Sequence, residues 1–175
     1  SYFFVRAVSD ARRILWAAYA ITAVLAVYSH LFAVLVLIGH AGSLIGARRQ
    51  LVASRRTLAV TAGAIVLALL PVAAYIAGGE TGRTTDQGTA ASDVPYLLIW
   101  YAGSNRPLAA MYALAALTAL VVAWRKGVLA SWPYAFVLAW LTAPILLALA
   151  ISVTIDPLFV PRYLLFSLPA LLLLV

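Results

Sequence analysis

Most of the chain consists of long apolar blocks, which are separated by clusters of charged and turn-forming residues. A helix that spans a membrane needs about 20 apolar residues. The blocks at 57–77, 108–124 and 132–154 fit this length, and the block at 158–175 fits if Arg162 lies near one end. Since backbone in lipid must satisfy its own hydrogen bonds, these blocks predict an all-α fold without a sheet.

The apolar region 14–47 is too long for one span and short for two. It is interrupted near its middle by a tyrosine, a serine and a histidine, Tyr28 to His30. We therefore predict two short helices, 14–29 and 30–47, with a break at this polar triplet. Helices this short would cross only a thinned or protein-filled region of the bilayer.

The whole chain, 1–175, is thus predicted to be a partial transmembrane domain, a polytopic bundle of about six helical segments. Its long loop, 78–106, ends in "VPYLLIWYAGSNRP", where aromatic and aliphatic residues alternate. This alternation predicts a short interfacial helix, which is either a simple bilayer anchor or a lid that faces acceptor or lipid. Neither end resembles a natural terminus, so we expect a fragment of a larger membrane protein.

Composition supports a membrane protein, because 66% of the residues are apolar and 10% are charged. In a soluble domain about half of the residues are apolar and about a quarter are charged. The positive-inside rule places nine basic residues on the cytoplasmic side of a multi-pass protein of the plasma membrane. They are Arg6, Arg12, Arg13, Arg48, Arg49, Arg55, Arg56, Arg125 and Lys126. The net charge of +7 then reflects topology and contact with anionic membrane lipids. We predict no nucleic-acid partner, which would need clustered charges on a soluble module.

Two cationic candidates fall at the predicted extracytoplasmic face, His30 and Arg162. A histidine at a membrane edge can act as a base, a metal ligand or a phosphate partner. It can equally be a polar turn that bonds neighbouring backbone. Arg162 can bind phosphate with its guanidinium fork, pair with Asp156, or extend to the lipid headgroups.

His40 lies in "GHAGSLIG", which predicts close helix packing. Gly39 and Ser43, and likewise Gly42 and Gly46, are small residues spaced by four. We interpret His40 as a buried packing residue. On a continuous helix, His30 and His40 would lie about 15 Å apart and could not share a metal ion. The sequence has no zinc spacing, and we identify no metal ligand or cofactor motif.

Two stretches of the chain resemble bacterial membrane glycosyltransferases of family 39 and the mannosyltransferase-like group. "LAVYSHLFAVLVLIGH" resembles their "aLYTHYFA…LLaQ" stretch, and "DPLFVPRYLLFSLPALLLL" resembles their "P.f..RYLL..LPal.LL" stretch. Here Ser29 and Leu31 stand where the family often has Thr and Tyr. The resemblance implies the GT-C class of polytopic transferases, which use a polyprenyl-phosphate-linked sugar at the extracytoplasmic face.

In that family an acidic residue of the first extracytoplasmic loop usually acts as general base or metal partner. The resemblance puts that residue before Ser1, so the catalytic residue is unknown and a divalent metal is possible. We predict that Arg162 and His30 bind the donor phosphate, supported by Tyr28, Ser29, Asp156 and Tyr163. The acceptor would be a glycan, a lipid or a protein.

Two other function classes are compatible with the composition, a transporter or permease and a non-catalytic membrane scaffold. Transporters often carry charge near the bilayer midplane and have internal repeats. This chain has its charges at the predicted helix ends and no convincing repeat.

Overall fold

The computed structural model describes residues 1–10, 12–47, 51, 53–78, 94, 96–129, 131–154 and 161–174, with the side chains of 154 and 161–163 outside that description. The elements are α1 (Tyr2–Ser9), α2 (Arg13–Ser29), α3 (Ala33–Ser43), α4 (Arg55–Ala77), α5 (Leu97–Tyr101), α6 (Arg106–Arg125), α7 (Trp132–Thr154), a 3₁₀ helix (Pro161–Ser167) and α8 (Leu168–Leu174). Within these residues all regular structure is helical, which confirms the all-α prediction.

Three of the described helices, α4, α6 and α7, are long and apolar enough to cross a membrane. They indicate a membrane protein. α2 and α3 are shorter apolar helices. The finer prediction of a GT-C-like bundle of six segments stays a prediction.

The described residues divide into more helices than the six predicted segments. α1 is an additional element of eight residues, too short for a spanning pattern to reveal. α5, of five residues, is the short helix predicted in "VPYLLIWYAGSNRP", and its place at the membrane interface stays a prediction. The last predicted segment is divided between the 3₁₀ helix and α8. Pro169, the second residue of α8, explains this division because it has no N–H to bond the carbonyl one turn earlier.

The helix break predicted at Tyr28–His30 is present. α2 ends at Ser29, and His30 has extended backbone with φ −157° and ψ 110°. Both backbone groups of His30 form hydrogen bonds at the break. Its N–H donates to the Ala26 carbonyl at 2.9 Å, and its carbonyl accepts from the Ala33 N–H at 2.9 Å. An interruption among apolar helices is tolerated because these bonds are made.

α3 packs antiparallel against α7 through small residues. A Cβ added at Gly39 would lie 2.9 Å from the Ala139 carbonyl oxygen, and one added at Gly46 would lie 3.0 Å from the Ala135 Cβ. Nothing lies within 4 Å of a Cβ added at Gly42. The small-residue pattern therefore predicted close packing correctly at Gly39 and Gly46, whereas Gly42 faces open space.

Two buried clusters occupy opposite ends of the α3–α7 pair. One contains Phe4, Trp16, Tyr19 and Phe136. The other, with Leu35, Tyr101, Ala148, Leu164 and Leu171, lies where α2 ends and the 3₁₀ helix begins. We call this second region the His30 end. The N-termini of α2 and α4, which carry arginines, lie at the other end, which we call the basic end.

Candidate functional site

His30 packs against the 3₁₀ helix that contains Arg162. The centre of its ring lies 4.8 Å from that of Phe166, with the two rings edge to face. Phe166 follows Arg162 by four residues on this helix, which is more than one turn because a 3₁₀ helix has about three residues per turn. The structure thus brings His30 to the segment of Arg162. The side chains of Arg162 and Tyr163, and all of Asp156, lie outside the described residues, so their contact with His30 stays a prediction.

Two aromatic side chains hold the 3₁₀ helix in place. The Tyr101 hydroxyl donates to the Leu164 carbonyl at 2.7 Å, and the Trp140 Nε1–H donates to the Phe166 carbonyl at 3.0 Å. The donors come from different elements, α5 and α7. A 3₁₀ helix makes poorer hydrogen bonds of its own, so these two bonds fix where its backbone lies relative to His30.

Tyr101 is suited to this positioning role because it remains a donor. Burial raises the pKa of its phenol to about 12. The hydroxyl therefore stays protonated throughout the physiological pH range. Sequence reasoning placed Tyr101 at the interface but missed its bond to Leu164. The available signal was that buried Tyr and Trp normally need a hydrogen-bond partner.

A cavity of about 260 Å³ extends from the 3₁₀ helix into the bundle. Among the residues that line it are Tyr19, Thr22, His40, Trp140, Leu165 and Phe166. Tyr19, Thr22, His40 and Trp140 each carry a polar side-chain atom, and the rest of the cavity wall is mostly apolar. The cavity therefore connects the His30 end with the interior position of His40.

His40 is a buried packing residue, as its surroundings in the sequence predicted. It is 2% exposed, and its ring stacks on Phe4 at 4.6 Å. Its Nδ1 lies 3.2 Å from the Tyr19 hydroxyl and its Nε2 lies 3.2 Å from the Ser1 hydroxyl. Both ring nitrogens thus have hydrogen-bond partners. Within the described part of the chain, no group of three His, Asp, Glu or Cys side chains could hold a metal ion.

The two hydroxyl residues before His30 bond main-chain carbonyls. Tyr28 donates to the Ala68 carbonyl of α4 at 3.0 Å, and Ser29 donates to the Leu25 carbonyl of its own helix at 2.8 Å. Both side chains are exposed. Tyr28 therefore links α2 to α4, and Ser29 bonds the last turn of α2. Their support of a donor site stays a prediction.

Comparison with known proteins adds no assignment to this site. No protein-family model matches the chain, and neither the curated proteins nor the solved structures gave a match. The resemblance to membrane glycosyltransferases therefore rests on the two sequence stretches quoted above.

Proposed function

We propose that this chain forms part of the membrane domain of a glycosyltransferase. The enzyme transfers a sugar from a polyprenyl-phosphate donor to a glycan, lipid or protein acceptor at the extracytoplasmic face of the plasma membrane. The observation that supports this is the contact between His30 and Phe166. These residues belong to the two stretches that resemble the transferase family, and they are far apart in the sequence.

The proposed chemistry follows from the charge that develops on the leaving group. When the sugar departs, negative charge grows on the polyprenyl phosphate, and fixed cationic donors stabilise it. Arg162 supplies a planar fork for two phosphate oxygens. His30 supplies a ring N–H beside the same helix. Asp156, Tyr163, Tyr28 and Ser29 would orient these groups. We assign the role of general base to no residue of this chain.

The test is sugar transfer in membranes that contain the protein, with a radiolabelled polyprenyl-phosphate sugar as donor. A charge-assisted hydrogen bond is worth about 1.5–3 kcal/mol, so Arg162→Ala should lower transfer by about one to two decades. Arg162→Lys should be impaired less, because it keeps the charge and loses the fork. Arg106→Ala is the control, since Arg106 is an exposed arginine at the start of α6, predicted at the same face.

Each variant is also checked for expression and thermal unfolding. Arg162→Ala should resemble the wild type in both. If this variant transfers sugar at the normal rate, or is simply unfolded, Arg162 is a structural residue or one that extends to the headgroups, and the proposed phosphate role is wrong.

A further inference from the structure

A second site lies at the basic end, between α2 and α4. The two helices leave a groove of about 510 Å³ there. Its polar part contains Arg13 from α2 and Arg56, Ser54 and Thr57 from the start of α4. Its apolar part continues along both helices through Ala17, Ala20, Ile21, Val60 and Ala64. The groove thus combines a cationic mouth with an apolar wall that extends about one helical turn along each helix.

The charge at the mouth has one sign. Arg13 and Arg56 are exposed, and Arg12 and Arg55 precede them in the chain. The acid nearest in sequence is Asp10, whose carboxylate accepts the backbone N–H of Arg12 at 3.2 Å. Among the described residues neither Arg13 nor Arg56 forms a salt bridge. The N-termini of α2 and α4 also point their positive dipole ends to this region.

Buried and polar groups of the wall provide a second, independent observation. Trp16 lines the groove and is 3% exposed. Its indole Nε1 is buried and has no hydrogen-bond partner in the described part of the chain. An indole N–H that is buried normally donates to an acceptor. The groove therefore combines guanidinium groups and hydroxyls with an apolar wall, and one residue of that wall, Trp16, has a buried and unsatisfied indole N–H.

We propose that this groove binds one anionic phospholipid. The phosphate lies between Arg13 and Arg56, and an acyl chain lies along the alanine-rich wall of α2 and α4. A free phosphate or a soluble nucleotide would leave the wall uncovered, and a neutral lipid would leave the arginines unmatched. Only a charged amphiphile satisfies both parts. The proposal is independent of the transferase activity, because the groove lies at the end of the bundle opposite His30.

Native mass spectrometry of the delipidated protein in detergent, titrated with phosphatidylglycerol or phosphatidylcholine, tests this proposal. The wild type should retain one phosphatidylglycerol in preference to phosphatidylcholine. Since each charge-assisted bond is worth about a decade of affinity or more, the double variant Arg13→Gln/Arg56→Gln should bind phosphatidylglycerol at least about tenfold more weakly. The matched control is Arg125→Gln/Lys126→Gln, which removes the same charge from the exposed end of α6.

Ala64→Trp tests the apolar part without changing charge, because Ala64 is exposed and lines the groove. It should also weaken phosphatidylglycerol binding, while thermal unfolding of the lipid-free protein stays close to wild type. An excess of inorganic phosphate should not displace the lipid. The proposal is overturned if the α6 control loses as much affinity as the groove variant, if Arg13→Gln/Arg56→Gln binds normally, or if inorganic phosphate competes as well as lipid does.

Discussion

Gly39 provides the sharpest test of how the bundle is held together. A methyl group at this position would lie 2.9 Å from the Ala139 carbonyl oxygen and 3.4 Å from the Ala143 Cβ. The obstacle at 2.9 Å is backbone of α7, so a side-chain rotation cannot relieve it. Gly39→Ala should therefore push α3 away from α7 or distort one of them.

The change in unfolding free energy caused by Gly39→Ala comes from two opposing contributions. Overpacking a close contact costs about 1–3 kcal/mol. Alanine in a helix is favoured over glycine by about 1 kcal/mol. Gly42→Ala and Gly63→Ala are matched controls, because nothing lies within 4 Å of either added Cβ. Subtracting a control removes the helix-propensity contribution and leaves the clash, about 1–3 kcal/mol of lost unfolding free energy.

The assay is equilibrium unfolding in detergent, followed by tryptophan fluorescence. Trp132 and Trp140 lie on α7, so their emission reports on the α3–α7 contact. Gly39→Ala should be less stable than both controls, and each control should equal or exceed the wild type. Equal stability of Gly39→Ala and Gly42→Ala would refute the close approach of the two helices.

Two further predictions concern topology and the 3₁₀ helix. The chain has no cysteine, so Arg106→Cys and Lys126→Cys each give a single labelling site, at the two ends of α6, about 30 Å apart. An impermeant thiol reagent added to intact cells should label position 106 only. Labelling of both positions, or of position 126 alone, would overturn the topology. Tyr101→Phe leaves the Leu164 carbonyl without its donor at 2.7 Å, so it should lower the unfolding free energy by about 1–3 kcal/mol. Tyr96→Phe is its control, because Tyr96 is exposed on the same short segment; equal effects of the two substitutions would show that the Tyr101 bond contributes nothing specific.

The sequence predicted those features that depend on local pattern. Long apolar blocks predicted helices, and the polar triplet Tyr28–His30 predicted the break because it interrupts an apolar region that one span cannot contain. The glycine at 39 predicted a close helix contact because it has no side chain. Each of these signals lies within one continuous stretch of the chain.

Which helices and side chains contact each other in the folded protein could not be predicted in the same way. α7 is apolar on all faces, so its pattern does not indicate which face meets α3 and which meets the 3₁₀ helix. The bonds from Tyr101 and Trp140 to carbonyls of that helix depend on tertiary packing. The groove at the basic end was missed for the same reason: its arginines were interpreted as topology signals, and only the packing of α2 against α4 brings Arg13 and Arg56 to one cavity.

The central claim is that His30 and Arg162 form one donor site at the extracytoplasmic face. A structure of the protein with a bound polyprenyl phosphate tests it most directly. The account predicts that the phosphate lies beside the contact between His30 and Phe166, with the Arg162 guanidinium and the His30 ring within hydrogen-bonding distance of its oxygens. A phosphate bound elsewhere, or an Arg162 side chain on the opposite side of the bundle from His30, would contradict it.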